Sequence, residues 1–296
     1  MIALKEKDRP VVPSEVVSRG YWHGVISRLL RDKVSVACMI ILGAIVLSAI
    51  FAPLIAPGDP TVGSVLKRLK PIGEPGYLLG TDELGRDMLT RLLYGGRMSL
   101  ITGVVPVTLA LIIGGAFGTI AGYVGGWTNA VIMRTIDVIF AFPSVLLAVA
   151  ISGALGAGLE NMLLALTIVL IPPIVRISES VTTQVRELDF VDAARASGAG
   201  SLTIIRAHIL GNILGPIFVY SSSLLSVSII LASGLSFIGL GAKPPTPEWG
   251  LMLNTLRSAI YTQPIISALP GVMIFIVSLA SNLLSDGLRS AMDVQR

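Results

Sequence analysis

The stretch Val34–Ala56, VSVACMIILGAIVLSAIFAPLIA, contains no charged side chain and ends among the breakers Pro53, Pro57, Gly58 and Pro60. A helix of about 20 apolar residues crosses the hydrocarbon of a bilayer. In that medium every backbone N–H and C=O has to be paired internally, which leaves helices or closed barrels. A barrel strand would alternate polar and apolar residues; this run does not, so it reads as a transmembrane helix. Similar apolar runs return at about Leu100–Tyr123, Val131–Ala154, Asn161–Ile177, Ile213–Ile238 and Ile265–Leu284. The expected fold class is an all-α membrane protein with six transmembrane helices. Composition agrees: 53% of the residues are hydrophobic and 14% charged, against roughly 25% charged in a soluble domain, and the mean hydropathy is +0.82.

Charge sets the expected orientation. The formal net charge is +4, yet no Lys/Arg block interleaved with aromatics occurs, so nucleic acid is excluded as a partner and the excess is read as topology in a lipid bilayer. The first segment carries Lys5, Lys7, Arg9, Arg28, Arg31 and Lys33 and lacks the early apolar core of a cleaved signal peptide. Six crossings with a cytoplasmic N-terminus put both termini inside, with 14 of the 22 Lys and Arg inside and 8 outside, the sign of the positive-inside rule. The expected divisions are a cytoplasmic segment 1–33, a first span and extracytoplasmic loop 34–98, a core 99–290 containing a cytoplasmic loop 178–211, and a tail 291–296. The single Cys38 lies in the first span and is read as a small lipid- or helix-facing hydrophobe.

The loop between spans four and five is the part a soluble partner could reach. Asp189-Phe190-Val191-Asp192-Ala193-Ala194-Arg195-Ala196-Ser197-Gly198 reads as a short helix, capped by Asp189, with Asp192 at an acidic capping-box position and Gly198 as its left-handed stop. Ser201 is expected to open a second short helix through Leu202, Ile204, Ile205, Ile209 and Leu210, ending near Gly211-Asn212. Together they would form a rigid surface knob with the small Ala193 and Ala194 exposed.

The run Asp192-Ala193-Ala194-Arg195-Ala196-Ser197-Gly198, followed by Ile209-Leu210, resembles the EAA loop of binding-protein-dependent ABC importer permeases. Asp192 stands where Glu is usual and Gly211 where Pro usually ends the motif; the first keeps the charge and the second the helix break. The segments Leu79–Asp87, Gly96–Leu100, Phe142–Ser144, Leu235–Gly241, Pro244–Gly250 and Asn282–Arg289, in this order, are similar to the C-type subunit of the dipeptide/oligopeptide/nickel branch. The resemblance implies a type I ABC importer permease fold in a bacterial inner membrane. It also implies that Phe190, Val191, Asp192, Ala193, Ala194, Arg195, Ala196, Ser197 and Gly198 form a coupling helix fitting a cleft on a cytoplasmic ATPase. The implied partners are a second homologous permease, two ATPase subunits that bind ATP and Mg, and an extracytoplasmic solute-binding protein. The implied cargo is a di- or oligopeptide; the alternatives are a nickel chelate, glutathione or an oligosaccharide.

Arg134 and Asp137, one helical turn apart, are read as a local ion pair at a helix end or as part of a solute or ion path. Lys243–Trp249 is a Pro-stiffened outer loop with Trp249 at the membrane interface, or a contact for the binding protein. Pro143, Pro172, Pro173 and Pro270 are kinks or hinges. His23 and His208 lie far apart, and no H-E-x-x-H, Gly-x-Ser-x-Gly, Walker A loop or paired intramembrane aspartate is present. No catalytic or metal-binding residue follows, and an intramembrane enzyme lacks its residues. A passive channel or scaffold would leave the capped knob without a role.

Overall fold

The computed structural model of the chain describes residues 21–292; Lys5, Lys7, Arg9 and most of the tail lie outside them. The described chain is helical, with only two isolated β-bridges. In order, α1 is Tyr21–Leu29, α2 Lys33–Ile50, α3 Ala52–Ile55, α4 Met88–Val124, α5 Gly126–Phe140, α6 Ser144–Leu155, α7 Leu159–Arg186 and α8 Asp189–Ala196. Then come α9 Ser201–Ile204, a π-helical turn Ile205–Ile209, α10 Leu210–Phe237, α11 Trp249–Thr255 and α12 Pro264–Met292.

Five helical segments are long and apolar enough to cross a membrane, α2, α4, α7, the continuous α9–α10 and α12, and α5 and α6 meet the same test only together, as a pair bent by 86°. The pair joins the two ends of the bundle. At its start the Asn129 amide donates to the Ala121 carbonyl of α4, and at its finish the Gly158 N–H reaches the Leu240 carbonyl beyond α10.

Four expectations about the spans are corrected. Met88–Met98 and the second span are one helix: Asp87 caps it by accepting the Thr90 N–H at 2.7 Å, and neither the buried Gly95, Gly96 and Gly103 nor Pro106 interrupts it. The third span is broken at Ala141–Pro143, where Pro143 lacks the donor a continuous helix needs. The fourth runs on to Arg186, since Ser178–Arg186 contains neither Gly nor Pro. The helix opened by Ser201 does not stop at Gly211-Asn212; a π-turn carries it into α10.

The central contact is α4 against α7. Gly114, Gly118 and Gly122 present a smooth stripe to α7: a Cβ on Gly118 would stand 2.5 Å from both the Ser178 Cβ and the Val175 carbonyl oxygen. In a membrane, where burial against another helix replaces lipid by protein at little hydrophobic gain, close backbone approach through small residues provides the packing energy. α10 packs on both helices, and the buried Val107, Ala110, Leu170, Ile174, Ile213 and Ile217 fill the junction.

At the end opposite α8, residues 57–87 fold over α4 around a buried charge cluster. Asp82 accepts from the Leu84 and Arg86 N–H groups at 2.9 Å each, from Arg86 Nε at 2.6 Å and lies 3.1 Å from Arg91 Nε. Glu83 takes the other arm of Arg86 at 2.9 Å, and Arg91 also donates to the Pro60 carbonyl at 3.0 Å. Both arginines bond to Asp82, and Arg91 belongs to α4 and also reaches the Pro60 carbonyl, so this cluster ties the loop to the first turns of α4. Gly85, at φ +73°, makes the close turn beneath Ser64.

Candidate functional site

The sequence-chosen knob forms at the other end of the bundle. α8 follows α7 after a two-residue turn and precedes α9 by Ser197–Gly200, so both flanking connections lead directly into membrane-crossing helices. Val191 is fully buried and packs in the same cluster as Val185, Ile204, Ile209 and Ile213. Phe190 lies tilted against His208 with ring centroids 6.3 Å apart. Arg186 at the end of α7 donates to the Tyr123 carbonyl of α4 at 3.3 Å. One apolar side chain and two helix ends thus hold α8 to the bundle, while Asp192, Ala193, Arg195, Ala196, Ser197 and Gly198 face outward.

Two local expectations change. The helix is preceded by Leu188, and Asp189 makes no capping bond; it lies in the first turn, where a carboxylate favours the positive end of the helix dipole. Ala194, expected to be exposed, is partly buried against the core, while Ala193 and Ala196 are exposed. Asp192 accepts from Arg195 at 2.9 Å, and Arg195 also lies 5.8 Å from the Tyr123 ring centroid. Gly198 adopts φ +82°, the left-handed stop its position implied.

Asp137 is not paired with Arg134. It accepts from Arg176 of α7 at 2.7 Å, and the Arg176 guanidinium lies 4.7 Å from the Phe140 ring centroid. The i, i+3 spacing suggested a local partner, but α5 turns Asp137 towards α7. Trp249 is not at the interface either. It is 1% exposed, its indole N–H donates to the Leu92 carbonyl at 3.0 Å and its backbone N–H to the Ser99 hydroxyl at 3.0 Å. Glu248, fully buried, caps α11 by accepting the Gly250 and Leu251 N–H groups at 2.8 Å each. Sequence reasoning missed this role, although an acidic residue before Trp-Gly-Leu-Met carried the signal of a helix start.

No convergent nucleophile and base occur among the described residues; the arrangement is a membrane passage scaffold with a rigid helix presented at one end. Residues 114–294 match the family described as binding-protein-dependent transport system inner membrane component, and residues 20–71 match the N-terminal TM domain of oligopeptide transport permease C. The chain belongs to this permease family. It is similar to the glutathione transport system permease protein GsiD of Pectobacterium atrosepticum, 39% identical over 284 residues that cover 96% of this chain and 94% of that protein. It is likewise similar to the dipeptide transport system permease protein DppC of Alkalihalophilus pseudofirmus, 40% identical over 289 residues, 97% and 94% of the two chains. Among solved structures, inward-facing conformations of the MetNI methionine ABC transporter match with a TM-score of 0.56 at 17% identity, over 69% of this permease and 97% of that chain. The permease therefore has the type I ABC importer fold and serves as the transmembrane subunit of such an importer, a multi-pass protein that works with ATPase and solute-binding partners.

Proposed function

We propose that the permease couples ATP hydrolysis by separate subunits to the import of short peptides, with α8 as the docking point. The observation that carries this reading is the placement of α8: its outer face is small and exposed, its inner face is locked by Val191, and it joins α7 directly to α9–α10. A push on such an element moves two spans together. Nucleotide-driven closure of two ATPases would shift α8 and exchange outward for inward access, through contacts that differ between the two states rather than through covalent chemistry. ATP and Mg would be held by those ATPases, and a second, homologous permease would complete the pathway.

On this reading α8 and both termini are cytoplasmic, and residues 57–87 and 239–263 lie outside. Two relatives are named for dipeptide and for glutathione. Glutathione is itself a tripeptide, so both names point to small peptides with free charged ends, which supports peptide import over nickel chelates or oligosaccharides. The test is uptake of a labelled dipeptide, L-alanyl-L-phenylalanine, into proteoliposomes holding the complete complex and its binding protein. Accumulation that requires ATP is expected; ATP hydrolysis stimulated by the binding protein without dipeptide accumulation would move the cargo to another class.

A further inference from the structure

Trp127, 86% exposed near the start of α5, is an aromatic residue of the kind that marks a membrane interface. Asp137 is ten residues further along α5, about 15 Å at 1.5 Å per residue. Its partner Arg176 stands ten residues before the end of α7 at Arg186, so the pair lies within the apolar length of the bundle, away from its ends. Their side chains are nonetheless 48% and 47% exposed on the isolated chain. A charged pair at this depth is too costly to face lipid. The exposed non-helical turn Ala141–Pro143 is next to it, and irregular backbone at membrane depth is tolerated where protein covers it or where it lines a water-filled cavity. Among the described residues, one guanidinium N–H and one carboxylate oxygen form the only side-chain hydrogen bond of the pair. The remaining donors and acceptor make no side-chain hydrogen bond within the described chain.

Beside the pair is an apolar cavity of about 320 Å³, lined by Phe140, Phe142, Leu147, Leu170 and Val227. Phe140 belongs to both features, because Arg176 stacks on its ring. A paired cation and anion next to an apolar pocket match one chemical class: a zwitterion carrying a hydrophobic side chain. The geometry points to a solute-recognition site in which Arg176 takes a carboxylate, Asp137 takes an ammonium and the cavity takes an apolar side chain of a short peptide. The solute exchanges its own two charges for the internal ion pair, so each charge is handed from one partner to another at a depth where bare charge is expensive. This inference rests on the peptide reading above and adds the residues that would recognise it.

The test uses the complete complex in proteoliposomes with labelled Ala-Phe and Ala-Gly, and records uptake, ATP hydrolysis and assembly together. Arg176→Gln and Asp137→Asn are each expected to lower Ala-Phe uptake at least about tenfold, the size of a lost charge-assisted contact, with the complex still assembled and hydrolysing ATP. The charge swap Asp137→Arg/Arg176→Asp would rescue a purely structural ion pair; here it is expected to leave uptake low, since the cavity fixes which end of the solute meets which charge. Val227→Phe fills the cavity without touching either charge and is expected to lower Ala-Phe uptake about tenfold more than Ala-Gly uptake. This variant decides the matter if the charge variants fail to assemble. Uptake at the wild-type rate in both single variants, full rescue by the swap, or an equal effect of Val227→Phe on both dipeptides would overturn the site while leaving peptide import intact. Absence of dipeptide uptake by the wild-type complex would remove the peptide reading and this site with it.

Discussion

The Ser99 hydroxyl stands 3.2 Å from a Glu248 carboxylate oxygen while accepting the Trp249 N–H at 3.0 Å, tying the loop before α11 to the N-terminal half of α4. Both residues are buried, so neither bond is shared with water. Glu248→Ala removes the acceptor for two backbone N–H groups at the start of α11 and leaves them unpaired. Loss of a helix cap costs about 0.5–2 kcal/mol, and an orphaned buried donor about 1–3 kcal/mol. The variant is expected to be less stable by about 2 kcal/mol, with Glu248→Gln less affected, as read by thermal unfolding of the purified complex.

The stripe of glycines on α4 makes a sharper distinction. Gly118 has no room for a side chain against Val175 and Ser178, whereas a Cβ on Gly115 would meet nothing within 4 Å. Gly118→Leu is expected to push α4 and α7 apart at a cost of about 1–3 kcal/mol or more and to reduce the yield of monodisperse protein. Gly115→Ala is expected to leave the yield unchanged. Size-exclusion profiles of the two variants compare them directly.

Asp32 caps α2 from outside the membrane. The Ser35 hydroxyl and Ser35 N–H donate to its carboxylate and hold its pKa below the ordinary 3.8. A carboxyl with a lowered folded-state pKa contributes stability above its unfolded value and loses it as the pH falls through the folded value. The stability gap between the wild type and Asp32→Ala is therefore expected to stay constant from about pH 8 to about pH 5 and to close only below the ordinary carboxylate range. Thermal midpoints measured across that series check the sign.

Apolar run length alone made the six crossings legible, because hydrocarbon leaves a backbone few choices. Phe190–Gly198 was legible as a short helix from its acidic first turn and the stop at Gly198, although the cap expected of Asp189 is not made and Val191 is held by the bundle. What escaped was set by neighbours in space. The helix end expected at Ile177 moved because no Gly or Pro follows before Arg186, and the break expected at Gly211 is absent because the bundle packs the helix straight through it. Asp137 took Arg176 over Arg134, since the partner depends on how α5 meets α7. Trp249 went inside because Leu92 and Ser99 of α4 offered its two N–H groups acceptors. The break after Phe140 did have a signal in Pro143, which alone does not distinguish a kink from an 86° turn.

The central claim, that α8 transmits ATP-driven motion to the spans, is tested most directly by enlarging its exposed face. Ala193→Trp and Ala196→Trp alter only outward positions and leave the buried Val191 and half-buried Ala194 in place. Co-purification of the ATPase subunits and ATP-dependent dipeptide uptake would be measured on the same preparations. Both are expected to be lost while the permease itself remains folded and monodisperse. Full ATPase association and undiminished uptake in both variants would contradict the claim.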